Sequence, residues 1–479
     1  MKKVVAVFVA SLFITSAAGV GSASASTVVG STVNVTNDVW ANNEESLGMD
    51  PTGTLLAGAW NDWEHNDGCG FSYSTDGGAT WAPESFVRGI TLYTNDPDVP
   101  GTGRFAVGGD PSVIYNPKFS TFDIVCQAFG TKSGNQVQML ATTFDPDEAD
   151  PTADVNDNYG ADAWTTPVVV PAATTNGGFK GSNGKFPDHE SVFVDTLDAP
   201  GHHYGRLFVT WAQFSGAGKS PIELSYSDDN GATWSGPFVV SDKENRFDQD
   251  ARGSVAPNGD VYVSFITGPN EKSLEKNYAA VARSTDGGST WSQTYRAAPL
   301  PGAWNGIPNS DYRGFTDVWS TVDQASGKLV IVFADNRSGP SNIWSVHQTT
   351  AGDLAHWSEA AQIKASPNQQ FFPWISAAPN GRVDVVYYDR TCDSGDKLNC
   401  VTLSSTTDSG ASWSSASLLN TPFDGDVFET CLAFVQEPDC GRHFMGDYIA
   451  IASNNAKAQV LYTGNGEQAL DVFSVSATF

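Results

Sequence analysis

The sequence predicts an all-β repeat protein of seven antiparallel units, with six as the alternative count. Three observations predict it. The octet Ser284–Trp291 reads S-T-D-G-G-S-T-W and returns at 74–81, 227–234 and 406–413 with its Asp, Gly and Trp offsets kept; four such copies mark a repeat. Seven apolar stretches of strand length end in an aromatic residue, Trp60, Phe129, Trp211, Phe265, Phe333, Tyr388 and Tyr462. The composition is rich in Gly, Ser, Thr, Phe and Trp and poor in Lys, which suits many short strands joined by tight turns.

The octet is a hairpin corner. Its Asp can accept hydrogen bonds from the amides just after it, its Gly allows positive φ, and its Trp returns to pack on the sheet. It resembles the Asp-box of bacterial neuraminidase repeats. That resemblance implies a sialidase-like β-propeller of four-stranded antiparallel blades, with the boxes as structural corners that set the register of each blade.

Taken in order, the chain opens with Met1-Lys2-Lys3, an apolar run over 4–20 and then Ala23-Ser24-Ala25. This is the pattern of a secretory signal peptide, with cleavage expected after Ala25. No later run is long or apolar enough to span a bilayer, and 26–479 reads as a single domain, expected to be monomeric and extracellular. The formal net charge of −28 argues against nucleic acid and anionic membrane surfaces as partners. Six cysteines in an exported chain predict disulfides. Cys392–Cys400 and Cys431–Cys440 would each pin one loop, and Cys69–Cys126 would join adjacent blades.

Each unit holds an inner strand, a turn and a second strand. The inner strands are expected at 45–50, 110–115, 189–194, 252–255, 317–322, 372–375 and 445–449, and the short strand near Val33–Val35 would complete the last blade. Closing the ring in this way removes exposed sheet edges. The second-strand ends recur every 55 to 80 residues or so, longer than a minimal blade of about 40–50. Insertions therefore lie between blades, most clearly at 89–108, 145–187 and 414–441.

In such a scaffold the starts of inner strands and the ends of second strands meet around the axis. The starts offer Glu45, Asp110, Glu190, Arg252, Asp317 with Arg313 upstream, Phe372 and Asp447; the ends add Asp62, Asp335, Arg337, Asp389 and Arg390. Carboxylates held close together split their pKa values, which suits acid–base work. Arginines offer bidentate forks to a carboxylate or sulfate. Purely structural ion pairs, such as Asp335 with Arg337, are the competing reading.

Over most of the mature chain the boxes, Phe333-Ala-Asp-Asn-Arg337, Phe372-Pro-Trp-Ile375 and Met445-Gly-Asp-Tyr-Ile449 resemble secreted BNR-repeat glycosyl hydrolases. True sialidases imply an arginine triad for a substrate carboxylate, a Tyr nucleophile supported by Glu, and an Asp acid/base. Carried onto this chain, Arg252, Arg313 and Arg337 would grip an acidic sugar, with Asp110, Asp317 and Arg390 as further binding groups. Asp62 would be the acid/base, and Glu190 would support a tyrosine, Tyr312 being preferred over Tyr388 or Tyr448. Glu44-Glu45-Ser46 stands where the family's F-R-I-P arginine would be, and Phe371-Phe372 where its blade-six tyrosine would be.

The resulting expectation is a carbohydrate-active glycoside hydrolase without cofactor or catalytic metal. A polysaccharide lyase using His189 with Tyr or Arg, or a non-catalytic carbohydrate-binding propeller, are the alternatives. His202 and His203 read as exposed turn residues. The acidic stretch 145–162, with Asp154-x-Asn156-x-Asn158, faintly echoes a calcium loop but has Tyr159 where Gly is needed, so a structural calcium there is the one metal considered.

Overall fold

The computed structural model describes residues 27–37, 39–63, 68–94, 98–130, 137–150, 152–171, 185–215, 219–243, 247–270, 272–418, 421–430 and 443–479. The segment expected to be a signal peptide and the expected Cys431–Cys440 pairing lie outside them. Seven antiparallel sheets follow one another along the chain, six built in sequence order from four consecutive strands and the seventh completed by the first strands of the chain. Their innermost strands are Asn42–Met49, Val107–Asn116, Lys185–Val194, Phe247–Val255, Val318–Val322, Gln370–Ala377 and Ala450–Ser453. This is a seven-bladed β-propeller, as the repeat count predicts.

The ring closes where the sequence places the closure. Val28–Val29 and Val33–Asn34 both pair with the last strand, Leu470–Thr478, in registers Val28 to Thr478 and Val33 to Ser474. The first residues of the chain thereby supply the outermost strands of the seventh blade and cover the edge of Leu470–Thr478.

The box turns form by the expected chemistry. Thr80 donates its amide to Asp76 Oδ1 at 2.9 Å and its hydroxyl to Oδ2 at 2.6 Å, while the Gly78 amide reaches Ser74 Oγ. The pattern repeats at Asp229, Asp286 and Asp408. Burial would push these four carboxyls up, but the hydrogen bonds win and hold them below the usual range.

Neighbouring blades interlock through apolar faces and a few specific contacts. Trp60 and Trp211 are fully buried. The Val113 amide donates to Ser46 Oγ and the Val192 amide to Ser112 Oγ, both at 2.9 Å, so the same serine position stitches blade one to two and two to three. From blade four onward a stack replaces the serines: the Arg252 guanidinium lies 3.9 Å from the Trp319 ring, and Trp319 stacks on Trp374 at 3.7 Å. At Gly253 a Cβ would come within 1.9 Å of the Phe193 ring, so blade four can pack on blade three only without a side chain there. Cys69–Cys126 links blades one and two and Cys392–Cys400 pins a loop of blade six, both as expected from the sequence.

Candidate active site on the propeller axis

Each inner strand ends in a turn at an equivalent residue: Asp50, Asn116, Asp195, Ala256, Asp323, Ala378 and Asn454. Counting back by a constant interval (50 to 44, 116 to 110, 195 to 189, 256 to 250, 323 to 317, 378 to 372, 454 to 448) reaches one residue per blade. These are Glu44, Asp110, His189, Asp250, Asp317, Phe372 and Tyr448. In five blades the position carries a β-bulge, with register shifts at Asn43/Ser46, Gly109/Ser112, Asp188/Ser191, Gln249/Arg252 and Phe371/Trp374. The bulged residues Glu44, Asp110, His189, Asp250 and Phe372 have φ between 48° and 61°. A bulge adds one residue to one strand and re-aims its side chain. Left-handed backbone at a non-glycine residue is sparsely populated and costs of order 1–3 kcal/mol. Five such bulges at one structural position form the inner wall of the molecule.

The ring is acidic and interconnected. His189 Nδ1 lies 2.6 Å from Asp250 Oδ1, and the His189 ring meets the Tyr448 ring edge-on at 6.4 Å between centroids, bridging blades three and seven. Phe315 stacks on His189 at 6.3 Å between centroids. Glu44 shares a hydrogen bond with Asp110. Asn61 donates to Glu44 and accepts the Asp110 amide at 2.7 Å, so one amide side chain ties these two blades together at the axis. The Asp447 amide donates to Glu44 Oε1, and Asp447 takes both arms of Arg313.

Burial governs the proton inventory. Glu44 is pushed well above the carboxylate range by burial and by the charges of Asp110 and Asp447. Burial also raises Glu190, with Asp110 adding to it, and Asp317, with Asp250 adding to it. Both carboxyl oxygens of Glu190 are buried and make no hydrogen bond among the described residues. Asp188 is raised by burial and by Asp110 and Asp250, against the opposing pull of His189. For His189 burial opposes the charged form, but the Asp250 hydrogen bond and the charges of Asp188, Asp250 and Asp110 prevail and lift it to about 10. Tyr448 is raised well above the phenol range by burial and by Asp110, Glu44 and Glu190.

Above the ring opens a cleft of about 330 Å³ lined by Asp188, His189, Gln249, Asn277, Trp304, Asn305, Arg313, Phe315 and Asp447, among others. Arg313 is its exposed cation: the side chain is 58% accessible while its partner Asp447 is 2% accessible. The cleft thus presents an exposed guanidinium, a protonated imidazole braced from behind by Asp250, and a carboxyl of raised pKa at Asp188. Trp304 and Phe315 supply aromatic surface. Such an arrangement can hold an anion and move protons between two groups on one sugar.

Of the residues selected from sequence, Asp110, His189, Glu190, Arg252, Arg313, Asp317 and Asp447 converge here, and His189, Arg313 and Asp447 line the cleft. Arg252 is 6% exposed, stacked on Trp319, and donates to the Ala251 carbonyl at 2.9 Å and toward that of His189 at 3.5 Å. It buttresses the wall from behind.

The other selected residues stand elsewhere. Asp62 is fully buried at the end of the second strand of blade one, and its neighbour Asn61 is the residue that reaches the ring. Arg337 is clamped by Asp335 and the Pro299 carbonyl. Arg390 is wholly buried, donating to Asn399, Ser310, Tyr312 and the Pro308 and Asp396 carbonyls. The Tyr312 hydroxyl donates to Asn399 at 3.0 Å, which places it in that same buried network. An arginine triad of Arg252, Arg313 and Arg337 is therefore not assembled at the cleft, and Tyr312 is not beside Glu190.

His202 also differs from expectation. Its side chain is 1% accessible, held between Asp195 at 2.8 Å and the Pro257 carbonyl at 3.1 Å. In the 145–162 stretch, Asp150 and Asp154 cap their own turns and Asp157 pairs with Arg88. Sequence reasoning missed Glu44, Asp188, Asp250 and Asp447's link to Arg313. Each bulge shifts the inward-facing residue away from simple strand alternation. The constant interval back from the turn residue was the signal that could have found them.

No family model matches this sequence, and no curated protein matches it. Solved structures share its architecture. A structure of a polysaccharide lyase, PL25 ulvan lyase bound to -[GlcA(1-4)Rha3S]-, has 11% identity, covers 92% of this chain and 96% of its own, and superposes with a TM-score of 0.50. A protein of unknown function from Dyadobacter fermentans has 16% identity, covers 76% and 94%, and gives 0.47. The NanB sialidase from Streptococcus pneumoniae has 13% identity over 74% of this chain and 66% of its own, at 0.46. At such identities the likeness is one of fold: a seven-bladed β-propeller with sialidase-like neighbours.

Proposed function

We propose that the protein is a polysaccharide lyase that cleaves a uronate-containing glycan in the axial cleft by β-elimination. The observation that carries this reading is the placement of His189, braced by buried Asp250, in the same cleft as the exposed guanidinium of Arg313. Arg313 would hold the uronate carboxylate and offset its charge, which makes the proton on the adjacent C5 removable. Asp188, a stronger base than an ordinary carboxylate because its pKa is raised, would take that proton. The C5–H electrons would form the C4–C5 double bond as the C4–O4 bond breaks, and the His189 imidazolium would protonate the departing O4. Trp304 and Phe315 would pack against sugar faces. A propeller lyase spanning almost the whole chain exists among the structures of this fold, which is consistent with the scaffold hosting such chemistry.

Hydrolysis is the second reading, and the Glu44–Asp110 hydrogen bond favours it. Two carboxyls that share a proton can divide into an acid and a base. Incubation with size-defined uronate oligosaccharides separates the two. An unsaturated, ultraviolet-absorbing product supports elimination, a saturated product of added water mass supports hydrolysis, and no product from either supports a binding module. For elimination, His189→Ala and Arg313→Ala should each lower turnover by about a hundredfold or more. Full turnover in both variants overturns the assignment.

A further inference from the structure

We propose that the blade-four half of the axial cleft is a subsite for a neutral, unsulfated sugar, the one that departs with O4, read by the carboxamides of Gln249 and Asn277. The identity of that sugar as the leaving group rests on the elimination reading; the subsite itself does not.

The cleft is divided by charge. Its charged lining residues are Asp188 and His189 of blade three, Arg313 ahead of blade five and Asp447 ahead of the first strand of blade seven. Blade four lines it with Phe247, Gln249, Ile266, Leu274 and Asn277, none of them charged. These residues follow the strands of the blade outward from the axis. Phe247 and Gln249 lie on its innermost strand, Ile266 on the second, and Asn277 directly precedes the third, Tyr278–Ser284. Gln249 pairs with Ile266, and Ile266 with Ala279, across the sheet. The uncharged half therefore starts at the residue before Asp250, beside the His189 that Asp250 holds. A sugar bonded through the O4 that His189 protonates would extend into it.

The polar groups of this half are unspent. Asn277 is 4% exposed, and its Oδ1 is buried without a hydrogen bond among the described residues. The side chains of Gln249 and Asn305, which line the same cleft, make none there either. A buried polar group left unpaired costs about 1–3 kcal/mol, so a ligand that pairs these carboxamides gains by doing so. Asn277 is held by its backbone instead: its amide donates to the Leu274 carbonyl at 3.0 Å, and its carbonyl accepts the Leu300 amide at 2.9 Å. At Gly268 a Cβ would come within 1.9 Å of Asn277 Oδ1, so only glycine lets the carboxamide sit there. Across the cleft, the Trp304 amide donates to Thr316 Oγ1 and the Thr316 amide to the Trp304 carbonyl, both at 3.1 Å, which fixes the opposite wall. A carboxamide carries a donor and an acceptor together, the match for adjacent sugar hydroxyls. Phe247, Ile266 and Leu274 give the C–H face of the ring an apolar surface. A sulfate or second carboxylate here would leave water without a cation to meet it.

The test uses three probes: an unsulfated chondroitin hexasaccharide, its 6-sulfated form and oligogalacturonate. In the first, the sugar linked through O4 of the uronate is a neutral N-acetylhexosamine; in the second that sugar carries a sulfate, and in the third it is itself a uronate. Turnover and calorimetric binding would be measured on the full chain, with the thermal midpoint of each variant alongside. The expected result is kcat/KM for the unsulfated probe about tenfold or more above both charged ones. Gln249→Ala and Asn277→Ala should each raise its KM by about fivefold to tenfold, the scale of a neutral hydrogen bond or two, with kcat little changed. Gln249→Arg places a cation in the uncharged half and should raise the ratio of sulfated to unsulfated turnover by about tenfold or more, a change that a merely structural residue would not produce. Equal or faster turnover of either charged probe by the unmutated protein, or a ratio that Gln249→Arg leaves unmoved in a folded variant, overturns the subsite. Absence of turnover on every probe counts against the elimination reading alone, and binding then decides the subsite. Binding of the unsulfated hexasaccharide that Gln249→Ala weakens leaves the subsite standing; equal binding of sulfated and unsulfated forms, or none of either, overturns it.

Discussion

His189 and Asp250 come from equivalent bulges of adjacent blades, and their side chains meet at 2.6 Å with the carboxylate 3% accessible and the imidazole 19% accessible. The buried partner fixes the ring through Nδ1, so that Nε2 is the atom left to the cleft. We predict that Asp250→Asn keeps the fold but lowers turnover by about a hundredfold or more. The His189 titration, followed by NMR, should fall from about 10 toward the ordinary imidazole range, because the Asp250 charge, and with it the charge assistance of the hydrogen bond, is lost. An unchanged His189 titration would show that the pair does not set its protonation.

His189 and its chain neighbour Asp188 set the pH profile. The elimination requires Asp188 ionised and His189 protonated. Asp188 is raised above the ordinary carboxylate range, so activity should climb as pH rises through that raised value. His189 titrates at about 10, so activity should fall only when pH passes about 10. The measurement is kcat/KM against pH on the active substrate. A profile that instead begins to rise near pH 10 would make neutral His189 the base.

Much of this architecture was legible in the chain and some of it was not, for physical reasons. The box turns are local, with the hydrogen bonds of each box aspartate made inside eight residues, so Asp76, Asp229, Asp286 and Asp408 could be read directly. Closure by Val33–Asn34 followed from a leftover strand and an unfinished last blade. The axis was read only in part. Asp110, Asp317, Phe372 and, for the lyase alternative, His189 were found, whereas Glu45 was chosen beside the inward-facing Glu44, and Arg252 and Asp447 near Asp250 and Tyr448. A bulge adds a residue that alternation does not count. The ends of second strands misled in another way. Arg337 and Arg390 have the composition of binding residues, and nothing in a linear pattern distinguishes a guanidinium aimed at a ligand from one aimed at five backbone and side-chain acceptors.

Arg390 tests that distinction. It is wholly buried and gathers Asn399, Ser310, Tyr312 and two carbonyls from separate loops. Arg390→Ala leaves those acceptors without their donor, and we predict a loss of about 3 kcal/mol or more in chemical denaturation. At temperatures where the variant remains folded, KM should be unchanged. A large rise in KM with unaltered stability would return Arg390 to the substrate.

Stability should also depend on pH in an unusual direction. Burial raises Glu45 to about 8, against a hydrogen bond from Thr463, and raises Asp123 to about 7 and Asp248 to about 6 against their own hydroxyl partners. A carboxyl with a higher pKa in the folded state than in the unfolded chain makes the native state bind more protons. Its favourable contribution is complete below the unfolded value, near 4, and is lost as pH rises through the folded one. For these three groups the windows run from about 4 up to 8, 7 and 6, and each can remove up to about 1.4 kcal/mol per pH unit inside its window. His189 adds a loss of the same sign between about 6.5 and 10, since its raised pKa also favours the protonated fold. The expected outcome is a denaturant midpoint that is highest in mild acid and declines steadily from pH 5 to pH 9. Glu45 is raised the furthest of the three carboxyls. Glu45→Gln keeps a hydrogen-bonding partner for Thr463 while removing the titration, and should flatten the decline between pH 5 and 8. A midpoint that rises over that range, or a Glu45→Gln curve parallel to the parent, would mean that these carboxyls ionise inside the fold without penalty.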